Sequence, residues 1–409
     1  MKILMLNKYY YLRGGSERYF FDLSRLLESH GHTVIPFSMH NERNEPSEWS
    51  RFFVPEVEYT GPMSPWHKIR AAAGTIHSPL ARRNVEALVR ETKPDIVHAH
   101  NIYHQLSYSP LAVAKARGIP VVLTAHDYKL VCPNNQFFRR AEICERCAGR
   151  HFRHAFTQRC GKGAAGSLVL AIESYVNRRL NDAVKKIDAI ITPSRFMHDK
   201  FIEYGLPEEK VIHRYNMLDA TAFDPEYETQ GYILYFGRLA AEKGVLTLLR
   251  SMQRLPQVRL LLAGEGPERP SLESESGRLG LRNVEFLGYR SGQALEDVIR
   301  GASVIVVPSE WHENQPYSVL EAMAYGKAVI GARIGGIPEL VEDGKSGLLF
   351  TAGDAGDLAR KLEQALADPQ NLQRMGRQGR ARVEQEFAPE PHYRFMLELY
   401  ERLLQLRRG

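Results

Sequence analysis

Ser303-Val304-Ile305-Val306-Val307-Pro308-Ser309 and, after three intervening residues, Glu313-Asn314-Gln315-Pro316-Tyr317-Ser318-Val319-Leu320-Glu321 form the stretch on which the fold turns. The first run is short, apolar and rich in β-branched residues without alternation. That is the pattern of a strand buried on both faces of a parallel sheet, and Pro308 ends it in a turn. The second run carries two carboxylates separated by seven residues, and Glu321 opens the helix-forming run Ala322-Met323-Ala324-Tyr325, which stops at Gly326. The reading predicts Glu313 in a strand-to-helix loop and Glu321 at a helix start. Crevices at the carboxyl ends of parallel strands are where α/β proteins hold ligands. Carboxylates placed there accept hydrogen bonds from a ribose or a hexose. Two solvated surface glutamates would explain the spacing alone; the rest of the chain decides against that.

Strands and helices alternate on both sides of this stretch. Lys2–Leu6 reads as a strand, Tyr19–Leu27 as a helix ended by His30-Gly31, and Thr33–Phe37 as a second strand. A helix near 81–91, a strand at 95–100, a helix near 109–117 and a strand at 120–124 follow. A long helix about 168–184 and a strand at 189–192 complete the first series. The segment 205–230, with Pro207 and Pro225, reads as a connection. A second series then has strands at 232–236, 259–263, 284–287, 303–307 and 328–330, and an amphipathic helix at 394–404. The chain has 409 residues, too many for one ordinary core. The reading is therefore α/β, with two doubly wound Rossmann-like domains and a cleft between them, at 1–204 and 205–389.

Composition narrows the class. Hydrophobic residues make up 44% and charged residues 25%, as in soluble globular proteins. No apolar run approaches the ~20 residues that span a bilayer, and the polar turn after Leu6 argues against a secretion signal. A cytoplasmic location is expected. Residues 1–200 hold 29 Lys+Arg against 18 Asp+Glu, a balance of +11 that leaves −5 for the remainder of the +6 total. A basic first half suits an anionic partner, such as an inner membrane face bearing a lipid-linked glycan, and Trp66-His67-Lys68-Ile69-Arg70 and Arg82-Arg83 contribute to it. No nucleic-acid recognition module appears, so nucleic acid is not expected.

Several strand-end positions carry chemistry. Arg238 follows one strand and Lys243 precedes the next helix, within Gly237-Arg238-Leu239-Ala240-Ala241-Glu242-Lys243-Gly244. Two cations beside helix amides can neutralise a diphosphate without a metal. Gly264-Glu265-Gly266-Pro267 and Gly335-Gly336-Ile337-Pro338-Glu339 are low-bulk loops after strands, and Gly14-Gly15 occupies the first strand-to-helix turn. None is the dinucleotide fingerprint, which argues against a nicotinamide enzyme. His126-Asp127 and His98-Ala99-His100-Asn101 end neighbouring strands, where catalytic groups gather.

Together these motifs resemble the retaining glycosyltransferases of family four, which have the GT-B fold of two facing Rossmann-like domains. The likeness runs over essentially the whole chain. It implies that Glu321 accepts from the ribose of a nucleotide-sugar and Glu313 meets the donor sugar. It also implies that Arg238 and Lys243 clamp the diphosphate, that Gly14 and Gly15 approach the diphosphate and sugar, and that His126 lies by the anomeric centre. Leu287 and the Gly264–Gly266 loop would frame the base, and the final helix, about 390–409, would pack back on the N-terminal domain. Many members read Glu-x-Phe-Gly after the first glutamate; here Pro316 has no N–H to give, and Asn314 and Gln315 would compensate. The implied reaction is hexose transfer with retention to an acceptor hydroxyl on a glycan or lipid-linked glycan, with no catalytic metal. A soluble small-molecule acceptor, or a non-catalytic nucleotide-binding scaffold in polysaccharide assembly, is the alternative.

All four cysteines, Cys132, Cys144, Cys147 and Cys160, fall in one insertion at about 132–160. In a cytosolic chain a Cys-x-x-Cys with flanking cysteines favours a structural zinc over disulfides, with His151 or His154 as substitute ligands. Redox-active or unbonded cysteines are the other readings.

Overall fold

Lys2–Leu6 (β1) is the first strand of a six-stranded parallel sheet in the computed structural model, which describes residues 1–56, 73–180 and 182–408. The others are β2 (Thr33–Phe37), β3 (Ile96–Ala99), β4 (Val121–Thr124), β7 (Ala189–Thr192) and β8 (Val211–His213), in the order β2-β1-β3-β4-β7-β8. Between β4 and β7 the chain makes a two-stranded hairpin, β5 (Phe138–Arg139) with β6 (Glu142–Ile143). Strand order reverses between β1 and β3, a switch point at which the loops after the two strands part and leave a crevice.

A second parallel sheet holds β9 (Tyr232–Phe236), β10 (Arg259–Ala263), β11 (Val284–Gly288), β12 (Val304–Val307), β13 (Val329–Ala332) and β14 (Gly347–Phe350). Their order is β11-β10-β9-β12-β13-β14, so the reversal lies between β9 and β12. The chain divides into two compact units. One is Met1–Gln136, Glu145–Tyr215 and Glu390–Gly409; the other is Phe137–Cys144 with Asn216–Pro389. The break thus falls at 215/216 rather than 204/205, because Val211–His213 extends the first sheet at its edge by pairing with β7. Three residues are too few for a periodic signal, which is why this strand reads as linker.

Each sheet is buried on both faces, as the unalternating strands require. Leu4, Val97, Leu123 and Ile190 form the first core with Leu23 and Leu27 of the helix Gly15–Ser29. Ile233, Leu262, Val304 and Val306 form the second with Leu248 and Leu358. The final helix, Pro389–Arg408, belongs to the first unit. It buries Met396, Leu399, Tyr400 and Leu403, spaced as one helical face. Tyr393 stacks on His30 at 3.6 Å and 19°. The helix expected at about 168–184 begins instead at Gly163, and its α geometry ends at Tyr175 in a π turn, Val176–Leu180. The glycines hide its start. A Cβ on Gly161 would lie 2.5 Å from the carbonyl carbon of Gly166, so small residues let the chain fold tightly into the first turn.

Candidate active site

Loops from four strands of the second unit interlock beside its switch point. A Cβ on Gly264 would lie 1.8 Å from the Gly237 carbonyl oxygen, and one on Gly266 would lie 2.1 Å from that of Leu239. The Leu239 N–H donates to the Glu265 carbonyl at 2.9 Å. Glycine at 264 and 266 is therefore what lets the loops after β9 and β10 touch. Gly244 has φ +65° and would place a Cβ 1.9 Å from the Pro308 oxygen, so the β9 loop also closes on the β12 loop. Gly335 (φ +57°) would place one 2.3 Å from the Glu313 oxygen, and the Gly336 N–H donates to that oxygen at 2.7 Å. Glycine is required at both positions by torsion and by space.

This packing fixes Glu313. Its side chain is only 6% exposed, and Oε1 accepts from Lys243 Nζ at 2.6 Å and from Ser309 Oγ at 2.7 Å. Lys243 Nζ also lies 5.2 Å from the centre of the Trp311 ring. Lys243 ends a 3-10 turn, Ala241–Lys243, while Arg238 is exposed just past β9. Phe137, at the start of the β5–β6 hairpin, packs edge-on to His312 at 6.1 Å.

Glu321 does not start a helix. The helix runs Tyr317–Ala324 and places Glu321 one turn in, partly buried. Pro316 sets the earlier start, since its φ of −67° suits a helix entry and its missing N–H costs nothing there. Gln315 and Asn314 are buried. The Gln315 amide is committed to Asn216, donating through Nε2 to its oxygen at 3.1 Å and accepting its N–H through Oε1. The Gln315 carboxamide is thus anchored to the backbone of Asn216. Leu287 is partly buried on the edge strand β11.

In the first unit the loops after β1 and β3 are tied by Asn7, whose Oδ1 accepts from the Asn101 N–H at 3.1 Å, and by Lys8 N–H donating to the Asn101 oxygen at 2.9 Å. Gly14 is extended (φ −171°), and a Cβ there would meet nothing closer than Glu17 Oε2 at 3.9 Å. Neither torsion nor packing demands glycine at 14. His126, two residues past β4, is partly buried and lies 3.0 Å from His100 Nδ1 through its Nε2. Burial holds it neutral, its pKa lowered to about 3. Asp127 accepts from Asn135 Nδ2 at 2.8 Å and from the Lys129 N–H at 2.9 Å, and burial raises its pKa.

Tyr19, which packs against His126, and His392, which holds Tyr19, were missed by sequence reading. The Tyr19 ring meets His126 edge-on at 5.4 Å, and Tyr19 Oη is 2.9 Å from His392 Nε2. These residues are 373 positions apart, and no local spacing signals the pair. The buried ion pair Lys129–Glu173, at 2.6 Å with both side chains 2% exposed, was also unread.

The four cysteines were expected to hold a structural zinc. Among the described residues no group of three or more His, Cys, Asp or Glu could hold a metal ion. Cys132 Sγ donates to Asn134 Oδ1 at 2.8 Å, and Cys144 follows β6 in the hairpin that groups with the second unit. None of the four is in a disulfide.

Comparison with known proteins agrees with this architecture. Residues 13–222 match the Glycosyltransferase Family 4 model and residues 219–382 the Glycosyl transferases group 1 model. A glycogen synthase of Mycobacterium tuberculosis is 28% identical, with 95% of this chain and 91% of the relative covered. The alpha-D-kanosaminyltransferase of Streptomyces kanamyceticus is 26% identical, covering 72% of this chain and 73% of the relative. Among solved structures, a sucrose-phosphate synthase from Thermosynechococcus elongatus superposes with TM-score 0.73 at 21% identity, covering 99% of both chains. Anabaena Alr3699/HepE in complex with UDP and glucose superposes with TM-score 0.65 at 21% identity, over 98% of this chain and 99% of that one. The two Rossmann-like sheets have the GT-B fold, and the chain belongs to the family-four, group 1 glycosyltransferases.

Proposed function

We propose that the protein is a retaining hexosyltransferase that moves a sugar from a nucleoside diphosphate to an acceptor hydroxyl on a glycan or lipid-linked glycan. The observation that carries this reading is the Lys243–Glu313 pair, held at the β9/β12 switch point by glycine contacts from two further loops. Glu313, with one oxygen taken by Lys243 and Ser309, keeps the other to accept from a donor-sugar hydroxyl. Lys243 and the exposed Arg238 meet the diphosphate, so charge on the leaving group is stabilised by fixed cations. Glu321 receives the ribose hydroxyls, and the Gly264–Gly266 loop with Leu287 borders the base. Relatives structurally aligned with this chain are described in complex with UDP and glucose, which supports a nucleotide-sugar donor.

In the first unit, Gly14 and Gly15 are assigned to the diphosphate and sugar, and the dispensability of glycine at 14 for the fold favours a role in leaving room. His126 is assigned to the transferred sugar. A leaving phosphate oxygen takes the acceptor's proton, and no divalent ion acts in the chemistry. The reading is tested with nucleotide-sugars paired with glycan acceptors. Glu321→Ala and Lys243→Ala should each lose at least about 100-fold in kcat/KM, while EDTA leaves the wild type active. Near-normal turnover in both variants would overturn the assignment of these loops. The anomeric configuration of the first product, read by proton NMR, checks retention.

No helix among the described residues is long and apolar enough to cross a membrane. The basic balance of residues 1–200 favours a cytoplasmic enzyme working peripherally at an anionic membrane face. The stretch Trp66–Arg70 lies outside the described residues, while Arg82 and Arg83 are exposed on the helix Pro79–Thr92. Binding to vesicles of phosphatidylglycerol at low salt, lost at high salt, is the expected result; none at low salt would remove the membrane.

A further inference from the structure

Behind His126, on one side of the first sheet, lies a set of buried histidines that family membership does not account for. His98 and His100, two apart and so on one face of β3 and its end, stack at 4.5 Å and 23°. His100 stacks in turn on His126 at 5.3 Å and 18°. His98, His100 and His392 are buried, and every ring is held neutral by burial. A neutral imidazole has one N–H and one bare nitrogen, so its partners decide which is which.

The partners settle His392 first. Its Nδ1 faces the Tyr215 carbonyl oxygen at 3.1 Å, which can only accept, so Nδ1 carries the proton. Nε2 is then bare and accepts the Tyr19 hydroxyl. His98 has a hydroxyl on each nitrogen, Tyr400 at 2.7 Å and Thr124 at 2.8 Å, so either form is satisfied. The remaining pair is His100 Nδ1 with His126 Nε2 at 3.0 Å, where one nitrogen donates and the other accepts. The other nitrogen of His100, Nε2, is buried and takes no hydrogen bond. A bare lone pair is tolerated there far better than an orphaned N–H. His100 must therefore keep its proton on Nδ1 and give it to His126.

We infer that His100 is a positioning residue that locks His126 in the tautomer protonated on Nδ1, so that His126 can only offer a hydrogen bond to its ligand and cannot accept a proton there. The inference rests on the assignment of His126 to the transferred sugar. It gives His126 a defined role, donor to a sugar oxygen, and leaves the acceptor's proton to another base. The Tyr19 ring, fixed through His392 on the final helix, packs against both His126 and His100.

The experiment uses the full chain with 15N-labelled histidine, and His126→Asn identifies the His126 signals by their loss. Long-range 15N–1H correlation should show His126 Nδ1 protonated and Nε2 bare; the reverse pattern overturns the inference. His100→Asn, whose amide can donate from near the Nδ1 position, should keep that signature and keep kcat with UDP-glucose within about threefold. His100→Leu should let the two tautomers average and lower kcat about tenfold with little change in KM, the rate equivalent of one lost orienting hydrogen bond. An unchanged tautomer and unchanged kcat in a folded His100→Leu would also overturn it. If that variant does not fold, the wild-type and His100→Asn spectra still decide. A kcat that falls with a midpoint near the ordinary histidine value of about 6.5, and loses that limb in His126→Asn, would mean a base and refute a donor. The expected tautomer without sugar transfer would sink the functional reading and leave the positioning role standing.

Discussion

Glu313 and Lys243 show what one residue position can carry. Glu313 is almost fully buried, and a buried carboxylate stays charged only when paired and hydrogen-bonded. Lys243 and Ser309 meet that need on one oxygen. Removing the lysine leaves the charge without compensation, whereas Glu313→Gln removes the charge and leaves a lysine with access to water. Lys243→Met should therefore destabilise by about 1–3 kcal/mol, below the fully buried range because Lys243 is partly exposed. Glu313→Gln should cost less, and the double variant should recover part of the loss. Urea unfolding of the four proteins checks this; strictly additive costs would mean the pair does not interact. Both residues were legible because each occupies a strand-end loop between a recognisable strand and a helix. Ser309 and Trp311 were not, because a Ser in a turn and a lone Trp give no signal until the loops meet. For the four cysteines, spacing reports only which thiols are near in sequence, while the hairpin groups Cys144 with the second unit.

Elements were read well where their pattern was long and poorly where glycine or proline set the boundary. All ten expected β-strands form, and the switch points follow from their order. The early start of the helix Tyr317–Ala324 was missed because Pro316 initiates it, and the three-residue strand β8 because it has no period to detect. Glycine itself supplies an element-scale prediction. Gly335 and Gly280 both have positive φ, +57° and +66°, but a Cβ at 335 strikes the Glu313 backbone at 2.3 Å while one at 280 meets nothing within 4 Å. Gly280→Ala should thus cost only the backbone strain, about 1 kcal/mol. Gly335→Ala should cost more, about 2–4 kcal/mol, and should displace the loop holding Glu313. Thermal unfolding of the two variants, with donor binding by calorimetry, tests the difference. Equal costs, or an undisturbed donor affinity in Gly335→Ala, would show that the β13 loop does not brace Glu313.

At the scale of the whole molecule, chain ends far apart in sequence are joined in the first unit, and the joint is built from titratable groups. Sequence reading reached the two sheets, whose strands announce themselves locally. It could not reach the contacts of the final helix with the helix Gly15–Ser29 and with β3, since His392 with Tyr19 and Tyr400 with His98 are pairings across some three hundred residues or more. Those contacts make stability depend on acidity. His98 and His392 have pKa values lowered by burial to about 3, below the ordinary value of about 6.5 that the unfolded chain takes. Between those two values the unfolded state binds more protons, so stability falls as pH falls below 6.5 and the loss continues towards 3. Each histidine contributes about 1.4 kcal/mol per pH unit at most in that window. Asp127 and Glu17, whose pKa values burial raises, act in the opposite direction: their stabilisation is present at low pH and fades as they ionise. From pH 6.5 down to 5 both histidines lie inside their window, and the loss they cause is the effect expected on acidification. The thermal midpoint should therefore drop on acidification. His392→Gln should be less stable at pH 7.5, having lost the link between Tyr19 and Tyr215. It should also show a shallower drop by about one proton, measured as the slope of unfolding free energy against pH. A slope unchanged in that variant would mean that His392 is already protonated when folded, and the neutral network joining the final helix to His126 would have to be abandoned.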